Sequence, residues 1–354
     1  LVFLPQILIL FLILGLLEDT GYLARGAMLI DKPLSKIGLN GKSFVPMLSG
    51  FACAIPAMLA ARTISNRRER LLTIFIIPLM SCSARLPVYA LLIAFLTPAD
   101  KAWLAGIALA VIYISSILGS LIVAAFINKF NKKIINAVDT SSFILELPAY
   151  RAPKIKNVIR NSFESVKQYI FKAGPIILVL SIAIWFLTYF PNHSPEINTN
   201  GLSQAEAVQM IKAERLSTSY AADLGKIIQP VMSPLDMDWR IGVSLIAAFA
   251  AREVFVSSLA MIFKVTDESN LQSSILLAMK DAVNEETGKP LFNVPTIIGL
   301  IVFFIFAMQC LSTVAVSKKE TGGWRIPILQ IIIFTTIAYF FTLITVNLLK
   351  FVGF

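Results

Sequence analysis

Charged residues and histidine are scarce in this sequence. Asp, Glu, Lys and Arg make up 15% of 354 residues, and the only histidine is His193. Soluble domains carry about 25% charged residues, whereas this chain is 57% hydrophobic with a mean hydropathy of +0.77. This composition excludes a soluble enzyme, a disordered chain and a nucleic-acid-binding domain. One histidine also excludes a His-rich metal site or a Ser-His-Asp triad, so we predict that the chain is not an enzyme.

Cysteine is also rare, with Cys53, Cys82 and Cys310 as the only three. They lie far apart in apolar surroundings, so a disulfide framework is not expected. The sequence begins Leu-Val-Phe-Leu-Pro without a basic n-region. We therefore expect the middle of a longer polypeptide rather than a signal peptide.

Long apolar runs dominate the sequence. A run of about 20 apolar residues is long enough, as a helix, to cross a hydrocarbon layer of about 30 Å. The net charge of +10 then belongs to cytoplasmic loops. The fold class predicted is an all-α, polytopic transmembrane bundle. Six crossings are predicted, at 1–17, 71–96, 103–128, 170–190, 296–316 and 326–350.

The apolar stretch 44–61 has basic segments on both sides. Segments 18–43 and 62–70 each contain four Lys or Arg residues. Basic loops stay in the cytoplasm, so both flanks are predicted to face the same side. A stretch whose two ends face one side enters and leaves the membrane as a re-entrant hairpin.

The apolar stretch 241–263 shows the opposite charge pattern. Segments 191–239 and 264–295 both lack a basic excess and are predicted to be external. This stretch is therefore predicted as a second hairpin, opposed to the first. Backbone that turns at membrane depth must be buried in protein or line a wet cavity, so both hairpins should face a transport path.

The two hairpins divide the chain into an inverted repeat. We predict a first gate half at 1–128, a cytoplasmic amphipathic linker at 129–172 and a second gate half at 173–354. Two halves of opposite topology, each with a hairpin and an interrupted helix, are typical of secondary transporters. The linker has an amphipathic stretch from about Lys154 to Lys172, predicted to lie along the membrane surface.

All three cysteines fall at predicted hairpins or helix breaks. Cys53 lies between Gly50 and Pro56, and Cys82 lies in a crossing interrupted by prolines. A soft thiol beside carbonyls freed by a broken helix can bind a divalent transition metal such as Fe(II). The alternative is that each cysteine is a small buried hydrophobe.

Charged residues inside apolar stretches are further candidates, because a charge in the membrane is costly unless it is paired or hydrated. Glu253 is a candidate ion ligand or partner of Arg85; alternatively, Arg252 and Glu253 form an ion pair that holds the hairpin. Glu18 and Asp19 either line the path or form an interfacial acidic pair.

Several distinctive motif blocks are spread over most of the chain, and the block Met80–Tyr89 is the most specific. Weaker blocks are Ala251–Val254 and the region around Cys310. The others are Phe3–Ile7, Leu17–Arg25, Gly50–Ala57, Arg70–Thr73 and Leu145–Arg151. Together these blocks resemble the membrane domain of the ferrous iron transport protein B family, which is similar to nucleoside-transporter-like folds in having two opposed gates.

The resemblance implies a multi-pass protein of the bacterial cytoplasmic membrane that moves Fe(II) inward. The predicted metal ligands are Cys53, Cys82, Cys310, Ser81, Ser83 and Glu253. The predicted gating or path-lining residues are Gly50, Pro56, Arg85, Arg252, Glu18 and Asp19. Fe(II) would be the transported substrate. The implied partners are membrane lipid, the G domain of the full-length protein, small cytoplasmic accessory proteins and further copies of the chain, but no nucleic acid.

The sequence departs from the full family in two respects. The resemblance implies an N-terminal GTP-binding domain in the full family, which we expect this chain to lack, so that GTP and Mg²⁺ would act only through that absent domain. Ala54 also stands where many relatives have Asn. The alternatives are a nucleoside-type solute carrier with the same gates, and an assembly module that transports nothing.

Overall fold

A computed structural model describes residues 4–98, 101–130, 152–191, 218–250, 254–263, 271–284, 288–308 and 310–353, with the single residues 150, 211, 215 and 252. Fifteen α-helices are bounded within these residues. The first eight are α1 (Leu4–Asp19), α2 (Tyr22–Lys36), α3 (Phe44–Gly50), α4 (Ala54–Ala60), α5 (Arg67–Ile76), α6 (Leu86–Leu96), α7 (Ala102–Phe130) and α8 (Ile155–Tyr189). The others are α9 (Tyr220–Met232), α10 (Trp239–Ala250), α11 (Val254–Ile262), α12 (Leu271–Asp281), α13 (Val294–Phe306), α14 (Leu311–Thr321) and α15 (Arg325–Val352).

Four helical stretches of the described residues are long and apolar enough to cross a membrane. They are Arg67–Leu96, Ala102–Lys129, Val294–Thr321 and Arg325–Val352. The predicted helical class is thus confirmed, and four of the six predicted crossings coincide with these stretches. The predicted crossings 1–17 and 170–190 overlap α1 and α8, and residues 1–3 lie outside the described residues.

The amphipathic stretch of the predicted linker lies in α8, and its position along the membrane surface stays a prediction. Lys154 directly precedes α8, which runs from Ile155 to Tyr189 without interruption and includes the predicted crossing. Val158 is buried, whereas Ile155 and Phe163, which the pattern also assigns to the apolar face, are exposed. The segment from 131 to 149 lies outside the described residues.

Both predicted helix breaks are confirmed, because each of the two stretches consists of two shorter helices. In the first, Pro78 lies in a 3₁₀ turn, Ile77–Leu79, that ends α5, and a second 3₁₀ turn, Ser83–Arg85, leads into α6. Proline has no N–H and cannot continue the ladder of hydrogen bonds, so α5 stops here. In the second, α13 ends at Phe306 and α14 begins at Leu311.

The helices form two compact units that interleave along the chain. The first comprises Leu1–Ser83, Ile112–Ile177 and Ser312–Ile333; the second comprises Ala84–Val111, Leu178–Leu311 and Phe334–Phe354. The first contains α3 and α4, and the second contains α10 and α11. The gate halves predicted from charge, 1–128 and 173–354, are consecutive in the sequence and do not correspond to these interleaved units. The two halves stay a prediction.

The core of the first unit is built around α4. Its buried members come from α4, the turn after it, α5, the 3₁₀ turn Ile77–Leu79 and α14: Ile55, Ala57, Met58, Ala61, Ile64, Ile74, Ile77 and Val316. Gly21, between α1 and α2, has φ +81°, a left-handed conformation that only glycine adopts without strain, which allows the tight turn there.

The second unit packs α6 against α11, α12 and α13. Phe255 of α11 and Phe304 of α13 meet edge to face, with ring centroids 4.8 Å apart. At Gly299 of α13, an added Cβ would lie 2.7 Å from a methyl carbon of Val346 in α15. The absence of a side chain at this glycine therefore permits the close approach of these two helices.

Candidate functional site

Cys53 occupies the turn of the first hairpin. Its backbone is extended (φ −158°, ψ 135°), and it is the N-cap of α4. Pro56 is the third residue of α4, in the first turn, where a missing N–H costs no helical hydrogen bond. A Cβ added at Gly50 would lie 3.2 Å from Cβ of Met80, so the hairpin packs closely against the break after α5.

A hydrogen bond connects this turn to the first helix break. The hydroxyl of Ser83 donates to the carbonyl oxygen of Ala52 over 2.9 Å. Cys53 follows Ala52 and Cys82 precedes Ser83 in the sequence, so this bond links the two thiol-bearing segments of the first unit. Neither of these two cysteines forms a disulfide bond in the structure, and both are partly buried.

Ser116 of α7 organises the backbone of the same break. Its hydroxyl donates to the carbonyl of Leu79 and accepts the N–H of Ser81, each over 2.9 Å. Ser81 and Ser116 are both buried. The break is therefore a defined polar turn whose thiol, hydroxyl and carbonyl groups are chemically suited to a divalent cation.

Gln330 of α15 hydrogen-bonds to backbone carbonyls at the end of α5. Its amide nitrogen donates to the carbonyls of Ile74 and Phe75 over 3.0 and 3.1 Å, and its amide oxygen accepts the hydroxyl of Ser317 over 2.7 Å. Pro78 has no N–H for the carbonyl of Ile74, four residues earlier. The side chain of Gln330 therefore supplies the donor that the proline removes.

Arg85 lies in the second unit and is fully buried. Its guanidinium donates to the carbonyl of Ile305 over 3.1 Å and to that of Ala307 over 3.3 Å. These carbonyls lie at the end of α13, where the helix break leaves such groups without intrahelical donors. Cys310, at the same break, is a partly buried free thiol.

Arg252 lies between α10 and α11 and is 5% exposed. The N–H of Phe255 donates to its carbonyl oxygen over 3.2 Å. Glu253 lies outside the described residues. Its predicted roles as an ion ligand or as a partner of Arg85 therefore stay predictions.

Glu18 and Asp19 line a cavity of about 790 Å³ within the first unit. The cavity also reaches both helices of the hairpin, at Ser49 and Pro56. The carboxylate of Asp19 accepts the backbone N–H of Lys154 over 2.6 Å, directly before α8 begins.

The structure brings some of the predicted site residues together. Cys53, Ser83 and Gly50 meet around the hairpin turn and the first break of the first unit, whereas Cys310 belongs to the second unit. Among the described residues, no group of three or more His, Cys, Asp or Glu side chains is arranged to hold a metal ion. Convergence of all three thiols stays a prediction.

Sequence reasoning missed Ser116 and Gln330. Both are polar residues within long apolar helices, where polar residues are scarce. Such residues can be recognised in the sequence as candidates for a structural contact, because a buried polar group in a membrane span needs a partner. The sequence alone does not reveal which carbonyls they contact, since the partners lie 37 and 256 residues away.

Comparison with known proteins gives several similar chains. The chain is 40% identical over 341 residues to the Fe(2+) transporter FeoB of Leptospira interrogans, covering 96% of this chain and 47% of that protein. It is 37% identical over 360 residues to the transporter of the same name in Helicobacter pylori, covering 97% of this chain and 54% of that protein. The chain therefore spans about half the length of the curated relatives it matches.

Family models agree with these relatives. A model named Gate and described as nucleoside recognition matches residues 1–96 and 170–324, more than half of the chain. A second, described as ferrous iron transport protein B C terminus, matches residues 109–164. The chain belongs to the Gate family. The resemblance drawn from the sequence motifs is thus confirmed, and no solved structure matches the chain significantly.

The names of the relatives and the apolar helices together indicate the class of protein to which this chain belongs. The relatives are named as transporters rather than enzymes, and together with four apolar helices they identify a membrane protein. A further relative, from Porphyromonas gingivalis, is named as a fusion of Fe(2+) transport protein A and FeoB; it is 36% identical over 358 residues, covering 96% of this chain and 41% of that protein.

Proposed function

We propose that this chain is the multi-pass permease region of a ferrous iron transporter and moves Fe(II) into the bacterial cytoplasm. The observation that carries the proposal is the 40% identity to a named Fe(2+) transporter over 96% of the chain. The bond between Ser83 and Ala52 supports it, because it joins two thiol-bearing backbone breaks that offer soft and hard donors to one cation.

Iron passes these groups in a transient relay. A permanent three-thiolate site would bind too tightly for conduction, which needs sites weak enough to release the ion. Cys53 and Cys82 act with Ser81, Ser83, backbone carbonyls and water in the first unit, while Cys310 and Glu253 act in the second. Gly50, Pro56 and the buried arginines shape the gates.

GTP hydrolysis belongs to a separate domain that regulates this region, and the chain itself is not a GTPase. The named fusion of Fe(2+) transport protein A with a relative supports a small cytoplasmic accessory protein as a further partner. The two hairpins are re-entrant and opposed, as the charge of their flanking segments indicates.

A nucleoside-type solute carrier is the second candidate, and the description of the Gate family as nucleoside recognition favours it. Uptake of ⁵⁵Fe(II) and of radiolabelled nucleosides into proteoliposomes containing the complete protein separates the two. We expect iron flux only. Nucleoside flux alone would establish the alternative, and no flux of either kind would favour an assembly module.

Single Cys→Ser changes at positions 53, 82 and 310 test the relay. We expect each to lower Fe(II) uptake several-fold with unchanged membrane insertion, because serine keeps approximately the volume of cysteine but loses the soft donor. Ser115→Ala, on α7, is a matched control expected to have full uptake. Full uptake by the triple Cys→Ser variant would refute the relay.

A further inference from the structure

The cavity in the first unit continues from the hairpin towards polar side chains. Ser49 and Pro56, four residues before and three after Cys53, line it on the two helices of the hairpin. Other lining residues include Glu18, which is exposed, and Arg62, whose side chain is 51% exposed. A cavity lined by both hairpin helices and by exposed charged groups opens to the surroundings of the protein.

Ser162 of α8 places an uncompensated polar group in this cavity. It is 2% exposed and lines the cavity, and its hydroxyl has no hydrogen-bond partner among the described residues. A buried hydroxyl without a partner costs free energy, so such groups in native proteins are normally satisfied by water or a ligand. A hydrated cavity would supply the missing partner.

The charges lining the cavity are not equivalent. Arg62 is neutralised by Glu320 through two hydrogen bonds of 2.6 Å, and the hydrogen bond with Glu320 raises the pKa of Arg62 above its ordinary value. Asp19 accepts the N–H of Lys154 at the positive end of α8, so its charge is used to hold that helix end. Glu18 has no ion pair among the described residues, and the half-buried Lys42 is the remaining cation of the lining.

The volume fits a hydrated ion. At about 30 Å³ per water molecule, a divalent cation with about six waters occupies on the order of 200 Å³. The cavity of about 790 Å³ holds such an ion with room for further water. Carboxylate and hydroxyl oxygens are donors that divalent cations accept alongside water.

We propose that this cavity is a cytoplasmic vestibule in which Fe(II) leaving the hairpin is rehydrated, with Glu18 and Ser162 as its oxygen contacts and Asp19 as a positioning residue that caps α8. The proposal rests on Fe(II) transport by this chain. It assigns different roles to the adjacent carboxylates of Glu18 and Asp19, which the sequence analysis treated as one pair.

Thiol labelling tests the vestibule without measuring transport. Ala24 lines the cavity and is partly buried, whereas Ser65 is exposed and outside it. In inside-out vesicles of the complete protein, we expect a cationic methanethiosulfonate to modify Ala24→Cys, and millimolar Mn²⁺ to slow that reaction. Ser65→Cys should react irrespective of Mn²⁺, and the three native cysteines of the parent protein set the background.

Matched carboxylate variants identify the group that attracts the cation. In the Ala24→Cys background, Glu18→Gln should lower the ratio of cationic to anionic modification rates about three- to tenfold and abolish protection by Mn²⁺. Asp19→Asn keeps an oxygen acceptor for Lys154 and should change the ratio less than twofold. Equal effects of the two variants, or no modification of Ala24→Cys while Ser65→Cys reacts, would overturn the proposal.

Uptake measurements distinguish this proposal from the transport proposal. Modified Ala24→Cys should lose at least half of its ⁵⁵Fe(II) uptake, while modified Ser65→Cys keeps the uptake of the parent protein. Full uptake by modified Ala24→Cys would refute the vestibule and leave iron transport intact. Absent iron uptake in the parent protein would refute transport, and protection by Mn²⁺ that depends on Glu18 would then still identify a cation cavity.

Discussion

Arg85 shows how one buried charge is accommodated in an apolar protein. It is 0% exposed and reaches two carbonyl oxygens at the end of α13, about 220 residues away in sequence. A planar guanidinium presents several donors in a fixed arrangement, so it can serve two neighbouring carbonyls at once. The residue that the sequence marks as costly therefore stabilises a helix end that would otherwise expose unpaired acceptors.

Replacing Arg85 should destabilise the second unit. Arg85→Met removes both bonds and leaves two buried carbonyls without these donors, and each such loss costs roughly 1–3 kcal/mol. We expect a clear fall in the thermal denaturation temperature of the detergent-solubilised protein, and a smaller fall for Arg85→Lys. Arg67→Met, at an exposed position, is the control. An unchanged denaturation temperature for Arg85→Met would show that these bonds contribute nothing.

At the scale of helices, both interrupted crossings use the same device. A polar side chain from elsewhere in the unit satisfies the carbonyls at the broken end: Gln330 for α5 and Arg85 for α13. Because no water reaches hydrocarbon, a broken membrane helix is tolerated only where protein groups or a wet cavity satisfy its backbone. Proline position thus predicts the break, but the tertiary partner makes it stable.

Gln330→Leu tests this device. It keeps a similar volume while removing a donor shared by Ile74 and Phe75 and an acceptor for Ser317, so we expect a loss of roughly 2–4 kcal/mol in unfolding free energy. Asn347→Leu is a matched control, because Asn347 is an exposed amide on the same helix whose nitrogen donates only to the carbonyl of Leu343 among the bonds described. The prediction fails if both variants unfold at the same denaturant concentration.

At the scale of the whole molecule, each compact unit contains one hairpin and one arm of each interrupted crossing. In the first unit, α3 and α4 have seven residues each. Each is therefore about 10 Å long, a third of the thickness of the hydrocarbon layer. This length agrees with a stretch that enters and leaves on one side, as the charge of its flanks predicts.

Accessibility labelling tests the topology. Single cysteines introduced at Lys42 and Ser65 should react from the cytoplasmic side, and those at Ser203 and Ser269 from the external side, because the basic flanks stay inside. The last two positions lie outside the described residues. If Lys42→Cys and Ser65→Cys react from opposite sides, stretch 44–61 is a simple crossing.

Composition and spacing were sufficient for the helical class, four helical stretches long and apolar enough to cross a membrane, both helix breaks and the family. Apolar length, proline and motif blocks are local properties of the chain. The charges of the flanking segments also distinguished the stretches 44–61 and 241–263, which the structure shows as the helix pairs α3–α4 and α10–α11. Tertiary structure alone decided that Gln330 satisfies the carbonyl left by Pro78 and that Ser83 reaches Ala52. It also decided that Asp19 caps α8 while Glu18 lines a cavity. These contacts join residues 31 to 256 positions apart, and only packing determines which distant polar group meets which unpaired backbone atom.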